Sequence, residues 1–307
     1  MEGYSKEAGG GVQAPMRVAI VFDKLREGTT GVYFERALRT LGMSCDHWWL
    51  RDAERIPDGY DFYLRVDQGD VYEQPLPARL RPVVFYAIDT HLAHSWPKIR
   101  RLAREADLVF CCHRDGAERL PGAVWLPVAC DRELHGAPET TPVWDIGFIG
   151  TEGGVPRKFY LQALREAYPN SRIGEADYTE MGAIYSRCRI GFNYAIAGDV
   201  NMRVFEVMAS GALLVTNALP SGDLERLGFR DREHLVLYRT PQELRELIAH
   251  FLAHPDERRR IASTGQAAVM AQHTYVHRMQ ALLAASARLV PPPPSATPQE
   301  FARCVSL

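Results

Sequence analysis

Short apolar runs alternate with amphipathic stretches along most of this chain. "RVAIVF" (17–22) reads as a buried strand, and "TGVYFERALRTLG" (30–42) as a helix ending at Gly42. "YDFYLRV" (60–66), "PVVFYAI" (82–88), "DLVFCC" (107–112) and "AVWLPV" (123–128) are further short apolar runs, and "SWPKIRRLAREA" (95–106) is helical between two of them. Strand and helix alternating at this spacing predict a parallel sheet covered by helices on both faces. "RELHGAPETTPV" (132–143) is polar and without period, which marks it as a linker.

A second series follows the linker. "DIGFIGT" (145–151) leads through small residues into the helix "PRKFYLQALREAY" (156–168). A strand centred on Ile190–Tyr194 comes next, then the helix of "NMRVFEVMASGALLVT" (201–216) and its apolar strand Ala212–Thr216. In that helix Asn201 can serve as the cap and Gly211 as the stop. Thr240-Pro241-Gln242-Glu243 has the form of a capping box, and Leu244, Leu247, Ile248, Phe251 and Leu252 continue it as an apolar stripe. "PDERRRIASTGQAAVMAQ" and "TYVHRMQALLAASARL" add two more helices. The expected layout is α/β, two Rossmann-like doubly wound domains facing across a cleft. The N-terminal domain spans 16–131, the linker 132–143, the C-terminal domain 144–273 and a last helix 274–289. Residues 1–15, Gly-rich, and 290–307, Pro-rich, read as disordered tails.

Composition removes several function classes. With 36 basic against 38 acidic residues the formal charge is −2, which gives no reason to expect a nucleic-acid or anionic-membrane partner. A hydrophobic share of 46% supports a sizeable core, yet no uncharged apolar run approaches the roughly 18 residues of a membrane span. No basic-then-apolar leader opens the sequence. The six cysteines include no C-x-x-C and several lie in apolar runs, as small hydrophobes in a reducing compartment. A cytoplasmic protein is the expectation.

Chemistry is sought just after strands, because open parallel sheets bind ligands beyond the carboxyl ends of their strands. In "FIGTEGGVPRK" (148–158), glycines beginning with Gly150 let a backbone approach, and Arg157 and Lys158 open the next helix, a sensible diphosphate site. A Gly turn followed by a solvated basic helix end is the plainer reading. Arg203 and Glu206 lie three apart near the start of an otherwise apolar helix, as a surface ion pair or as ligand contacts. In the second reading Glu206 accepts from two vicinal hydroxyls, as on a ribose, while Asn201, Arg203 and the helix-start amides hold phosphate. "FYAIDTHLAHSW" (85–96) puts Asp89 at a strand end with His91 and His94 following, a pair able to activate a hydroxyl, or alternatively a turn cap with ordinary loop histidines. Asp67 of "YLRVDQGD" is a weaker candidate. No further ligand lies near Asp89, His91 and His94 in sequence, so no metal is expected.

As a set, "NMRVFEVMASGALLVT", "HLVLYRTPQELRELI" and the "DERRRIASTGQAAVMAQHTYVHRM" ending resemble the C-terminal domain of CgeB-like (spore maturation protein-like) glycosyltransferases, relatives of the retaining GT-B nucleotide-sugar transferases. The resemblance covers roughly residues 144–285; the N-terminal half matches in layout alone. It implies that Glu206 binds the donor ribose and that Arg203 and Asn201 line the donor phosphate or sugar. By position Arg157 and Lys158 would be the diphosphate cations. The wider family sets another acid eight residues before the ribose glutamate, where this chain has Gly198 with Asp199 beside it. The family's separated Arg and Lys phosphate pair has no clear counterpart, since Arg157 and Lys158 are adjacent.

The activity so implied is hexosyl transfer from a nucleotide-diphosphate sugar to an unknown acceptor, retaining, without cofactor or metal. The sugar donor is a co-substrate, and Asp89 and His91 are the expected catalytic residues. Two other readings are a non-catalytic nucleotide-sugar-binding or coat-associated protein on the same fold, and a nucleotide-sugar epimerase.

Overall fold

The buried strand runs form two separate parallel sheets. The computed structural model describes residues 16–25, 27–67, 69, 72–136 and 140–289, so both expected tails lie outside the described residues. The first sheet contains β1 (Arg17–Val21), followed by α1 (Thr30–Thr40), β2 (Ser44–Trp48), β3 (Phe62–Val66) and β4 (Val83–Ala87). Next come α2 (Trp96–Arg104), β5 (Leu108–Cys111), α3 (Arg114–Arg119) and β6 (Val124–Trp125). Its order is β2-β1-β3-β4-β5-β6, with every pairing parallel. Residues of β3, β4 and β5 are buried throughout, the near-continuous hydrophobicity of strands covered on both faces.

Asp131 starts the crossing to the second sheet. Its Oδ1 accepts from the backbone N–H groups of Glu133 (2.9 Å) and Leu134 (3.1 Å), capping α4 (Arg132–His135). The expected linker therefore opens with a helical turn. After it come β7 (Trp144–Ile149), α5 (Arg157–Ala167), β8 (Ser171–Gly174), α6 (Met181–Ser186), β9 (Cys188–Asn193), α7 (Met202–Ala209) and β10 (Leu213–Asn217). The chain continues with α8 (Asp223–Arg226), β11 (Val236–Tyr238), α9 (Pro241–Ala253), α10 (Pro255–Gln272) and α11 (Tyr275–Ser286). This sheet is ordered β11-β10-β9-β7-β8, again parallel. Both sheets reverse direction of growth beside their first strand, between β1 and β3 and between β7 and β9. Those are the switch points where a doubly wound sheet opens a crevice.

Three strands are additional to those expected from the sequence: β2, β8 and β11. The first two are edge strands of polar residues with half-exposed side chains, and the third is three residues long. An edge strand with a wet face has no need of a continuous apolar sequence.

Helix α11 leaves the second domain and packs on α1 of the first. Tyr275 stacks on Tyr33 (ring centroids 4.8 Å apart) and meets Phe34 edge-on. Arg278 Nε donates to the Pro127 carbonyl at 2.8 Å, and Cys130 pairs in parallel with Thr274. One apolar cluster thereby runs from Val18 and Phe62 through Tyr33 and Tyr275 to Phe205 and Met208, joining the two domains below the cleft. Thr240 and Thr274 cap α9 and α11 through Glu243 N–H and His277 N–H. The Glu243 carboxylate reaches back to Arg239 N–H rather than to Thr240 N–H.

Candidate functional site

Three clusters of polar side chains line the interface between the sheets. The first stands at the β7/β9 switch point. Arg203 Nε and Nη2 donate to the Ile149 carbonyl (3.2 and 3.1 Å), and Nη1 donates to Asn193 Oδ1 (3.1 Å). Its guanidinium lies 4.2 Å from the Phe148 ring centroid. One side chain thus ties the carboxyl ends of both strands. Gly150 permits this: its φ is 130°, and a Cβ there would come within 2.6 Å of Arg203 Nη2. Arg157 folds over the same loop, donating to the carbonyls of Glu152 (2.8 Å) and Thr151 (3.1 Å). Burial and the nearby Arg203 lower the pKa of Arg157, as expected of two cations gathered in one place. Lys158 is exposed on α5 and does not join them.

The second cluster surrounds Glu206. This carboxylate is 4% exposed, and its nearest cationic candidate is His135 of α4, with Nε2 at 3.9 Å from Oε1. The ion-pair reading of Arg203 with Glu206 is not what the structure shows; Arg203 turns to the strand ends and Glu206 to the domain interface. Tyr33 and Tyr275 lie near enough for the Glu206 charge to add to the burial that raises both phenols. Asn201 occupies the cap position of α7 but makes no side-chain capping bond, against the sequence expectation. Its Oδ1 is buried and without a partner.

The third cluster lines a cavity of about 300 Å³ between the β4 and β5 loops of the first domain and residues 197–200 and 220–223 of the second. His91 contributes to it and packs edge-on against His113, ring centroids 4.6 Å apart. His113 Nε2 lies 3.6 Å from Asp199 Oδ2, and Arg114 Nε donates to Asp223 Oδ1 at 2.6 Å, so each pair joins the two domains. Burial, then the neighbouring His113, lowers the His91 pKa and keeps that ring neutral at neutral pH. Burial would do the same to His113, but Cys112 and Asp199 outweigh it and push His113 up to about 11. Asp89 is not part of this lining. It adopts a left-handed backbone (φ 53°) at the end of β4, and its Oδ2 stands 3.3 Å from where a Cβ on Gly69 would be. Asp67 is buried and paired with Lys98 Nζ at 2.7 Å.

Sequence reasoning passed over His113, Arg114 and His135. "CCHRDG" does follow an apolar run, the same signal that singled out Asp89 and His91, whereas nothing in "RELHG" distinguishes His135.

Residues 133–284 match the family model described as "Glycosyl transferase-like". The described residues, two parallel sheets with flanking helices, have the GT-B fold. Anabaena HepE, solved with UDP, superposes with a TM-score of 0.61 at 12% identity, covering 89% of this chain and 100% of that one. Sucrose-phosphate synthase from Thermosynechococcus elongatus gives 0.59 at 12% identity, covering 87% and 97%. T4 phage BGT, solved with its UDP-glucose substrate, gives 0.58 at 12% identity, covering 90% and 100%. No protein of curated function matches by sequence. None of the described helices is long and apolar enough to cross a membrane.

Proposed function

We propose that this protein is a cytoplasmic hexosyltransferase that uses a nucleotide-diphosphate sugar, with UDP-sugars the first donors to try. The observation that carries the reading is Arg203, fixed at the switch point of a glycosyl transferase-like domain, with Glu206 one turn further along α7 at the domain interface. Similar folds solved with UDP or UDP-glucose support the donor class. Arg203 and Arg157 would face the diphosphate, and Glu206 would accept from the ribose hydroxyls, with Asn201 and the amide groups of Gly150 and its loop beside them. Exposed Lys158 would act at longer range. Assignment to the CgeB-like group rests on the motifs of residues 201–285.

Transfer breaks the bond between the anomeric carbon and the diphosphate oxygen and forms one to an acceptor oxygen. In this reading the acceptor enters the cavity beside His91, whose neutral ring takes the hydroxyl proton. Asp89 contributes its charge from outside that cavity. The two arginines and the start of α7 stabilise the leaving diphosphate without metal or cofactor, and the His113–Asp199 and Arg114–Asp223 pairs keep water out by holding the domains together. Retention at the anomeric carbon follows from the resemblance and is tested by NMR of the product anomer.

The deciding experiment measures UDP and GDP release across a donor panel, with and without acceptor candidates, for wild type and Glu206→Ala. Acceptor-dependent release that Glu206→Ala weakens supports the reading. Donor binding without turnover points to the non-catalytic alternative, and interconversion of donor sugars without acceptor points to an epimerase.

A further inference from the structure

We infer that His135, in the segment joining the two domains, is a second holder of the donor ribose, donating from Nε2 to a hydroxyl that Glu206 also binds. The inference rests on the donor-site reading of Glu206 above. His135 is fully buried, and its Nδ1 accepts the Asp131 backbone N–H at 2.9 Å. With that nitrogen committed as an acceptor, a neutral ring carries its hydrogen on Nε2. Burial lowers the His135 pKa, which favours the neutral ring. Nε2 is buried without a hydrogen-bond partner, and the Glu206 oxygen it faces is 3.9 Å away, beyond hydrogen-bond reach.

A donor and an acceptor at that separation are matched by a hydroxyl. An oxygen placed to one side of the line between them stands about 2.8 Å from both, receiving from Nε2–H and donating to the carboxylate. Neither group alone distinguishes a hydroxyl from a cation or a carbonyl; facing each other, they do. Asn201, at the head of the same α7, also has a buried side-chain oxygen without a partner. The surroundings keep the imidazole in place. Tyr33 packs edge-on against it from α1 (5.6 Å between centroids), and Gly182 of α6 leaves room for the Leu134 carbonyl, where a Cβ would approach to 2.2 Å. Both domains and the linker therefore meet at this ring.

The test compares UDP or GDP, whichever the donor screen selects, with its 2′,3′-dideoxy analogue by calorimetry on wild type, His135→Phe and His135→Gln. His135→Phe should weaken the natural diphosphate about tenfold and leave the dideoxy analogue unchanged, while His135→Gln, which still donates, recovers part of the loss. A His135→Phe protein that keeps the full preference for the natural diphosphate overturns the inference, leaving His135 as the holder of an internal water. Equal loss for both ligands overturns it too, in favour of a purely structural ring. Wild type that ignores the ribose hydroxyls altogether takes down the Glu206 donor-site reading with it, which separates that failure from the others.

Discussion

His113 of the first domain and Asp199 of the second meet across the cleft, Nε2 to Oδ2 at 3.6 Å, with both side chains largely buried. The Asp199 carboxylate is thereby held below its ordinary 3.8: burial opposes ionisation, and the adjacent His113 overcomes it. His113 is raised above its ordinary 6.5, so its share of the stability is complete below that pH and drains away as pH rises toward about 11. Asp199, being lowered, contributes fully above 3.8 and loses its share as pH falls through its folded value. The difference in melting temperature between wild type and His113→Gln should therefore be widest between 3.8 and 6.5 and narrow steadily at alkaline pH. A difference that grows with pH would contradict the pairing.

Arg203→Lys should weaken nucleotide-diphosphate binding by about 1.5–3 kcal/mol, because a lysine cannot bridge two strand ends with a planar fork. Calorimetry measures it, with circular dichroism to check the fold. Unchanged affinity would show that Arg203 serves only the ends of β7 and β9.

His91→Ala should lower turnover by about 10²–10⁴ with little change in donor affinity, since the ring lines the cavity and not the Arg203 loop. Asp89→Asn should cost far less, its carboxylate lying against Gly69 instead. Equal losses for the two variants would restore Asp89 to the reacting centre.

Tyr275→Ala should destabilise the whole chain by about 3–5 kcal/mol, the usual cost of removing a fully buried aromatic. Its ring stacks on Tyr33 and meets Phe34, so the loss falls on both domains. A single calorimetric transition shifted downward is expected. A second transition appearing, with the other domain unchanged, would refute it.

The central strands could be read from the sequence because strands covered on both faces must be apolar throughout, as in "VVFYA" of β4. The edge strands β2 and β8 could not, since one wet side breaks that pattern. Arg203 and Glu206 stood out because charge in an apolar helix needs a reason, and the helix start placed them by the cleft. What each charge touches depended on residues far away in sequence: Ile149 for one, His135 for the other. The rule of looking after strands found the end of β4, but backbone direction decided that His91 enters the cavity and Asp89 does not.

Among the described residues the chain passes between the domains twice, once near Asp131 and once near His273. The two passages are sewn together: Cys130 N–H donates to the His273 carbonyl at 3.2 Å, and Tyr275 N–H donates to the Cys130 carbonyl at 2.9 Å. Two tethers fastened side by side act as a door hinge. Sliding of one domain over the other would shear those rungs, whereas swinging leaves them whole. The farther a contact lies from the hinge line, the wider it must part for a given swing. The Arg114–Asp223 latch and its histidine neighbour would therefore govern entry to the cleft, while Tyr33, His135 and Glu206 turn almost in place.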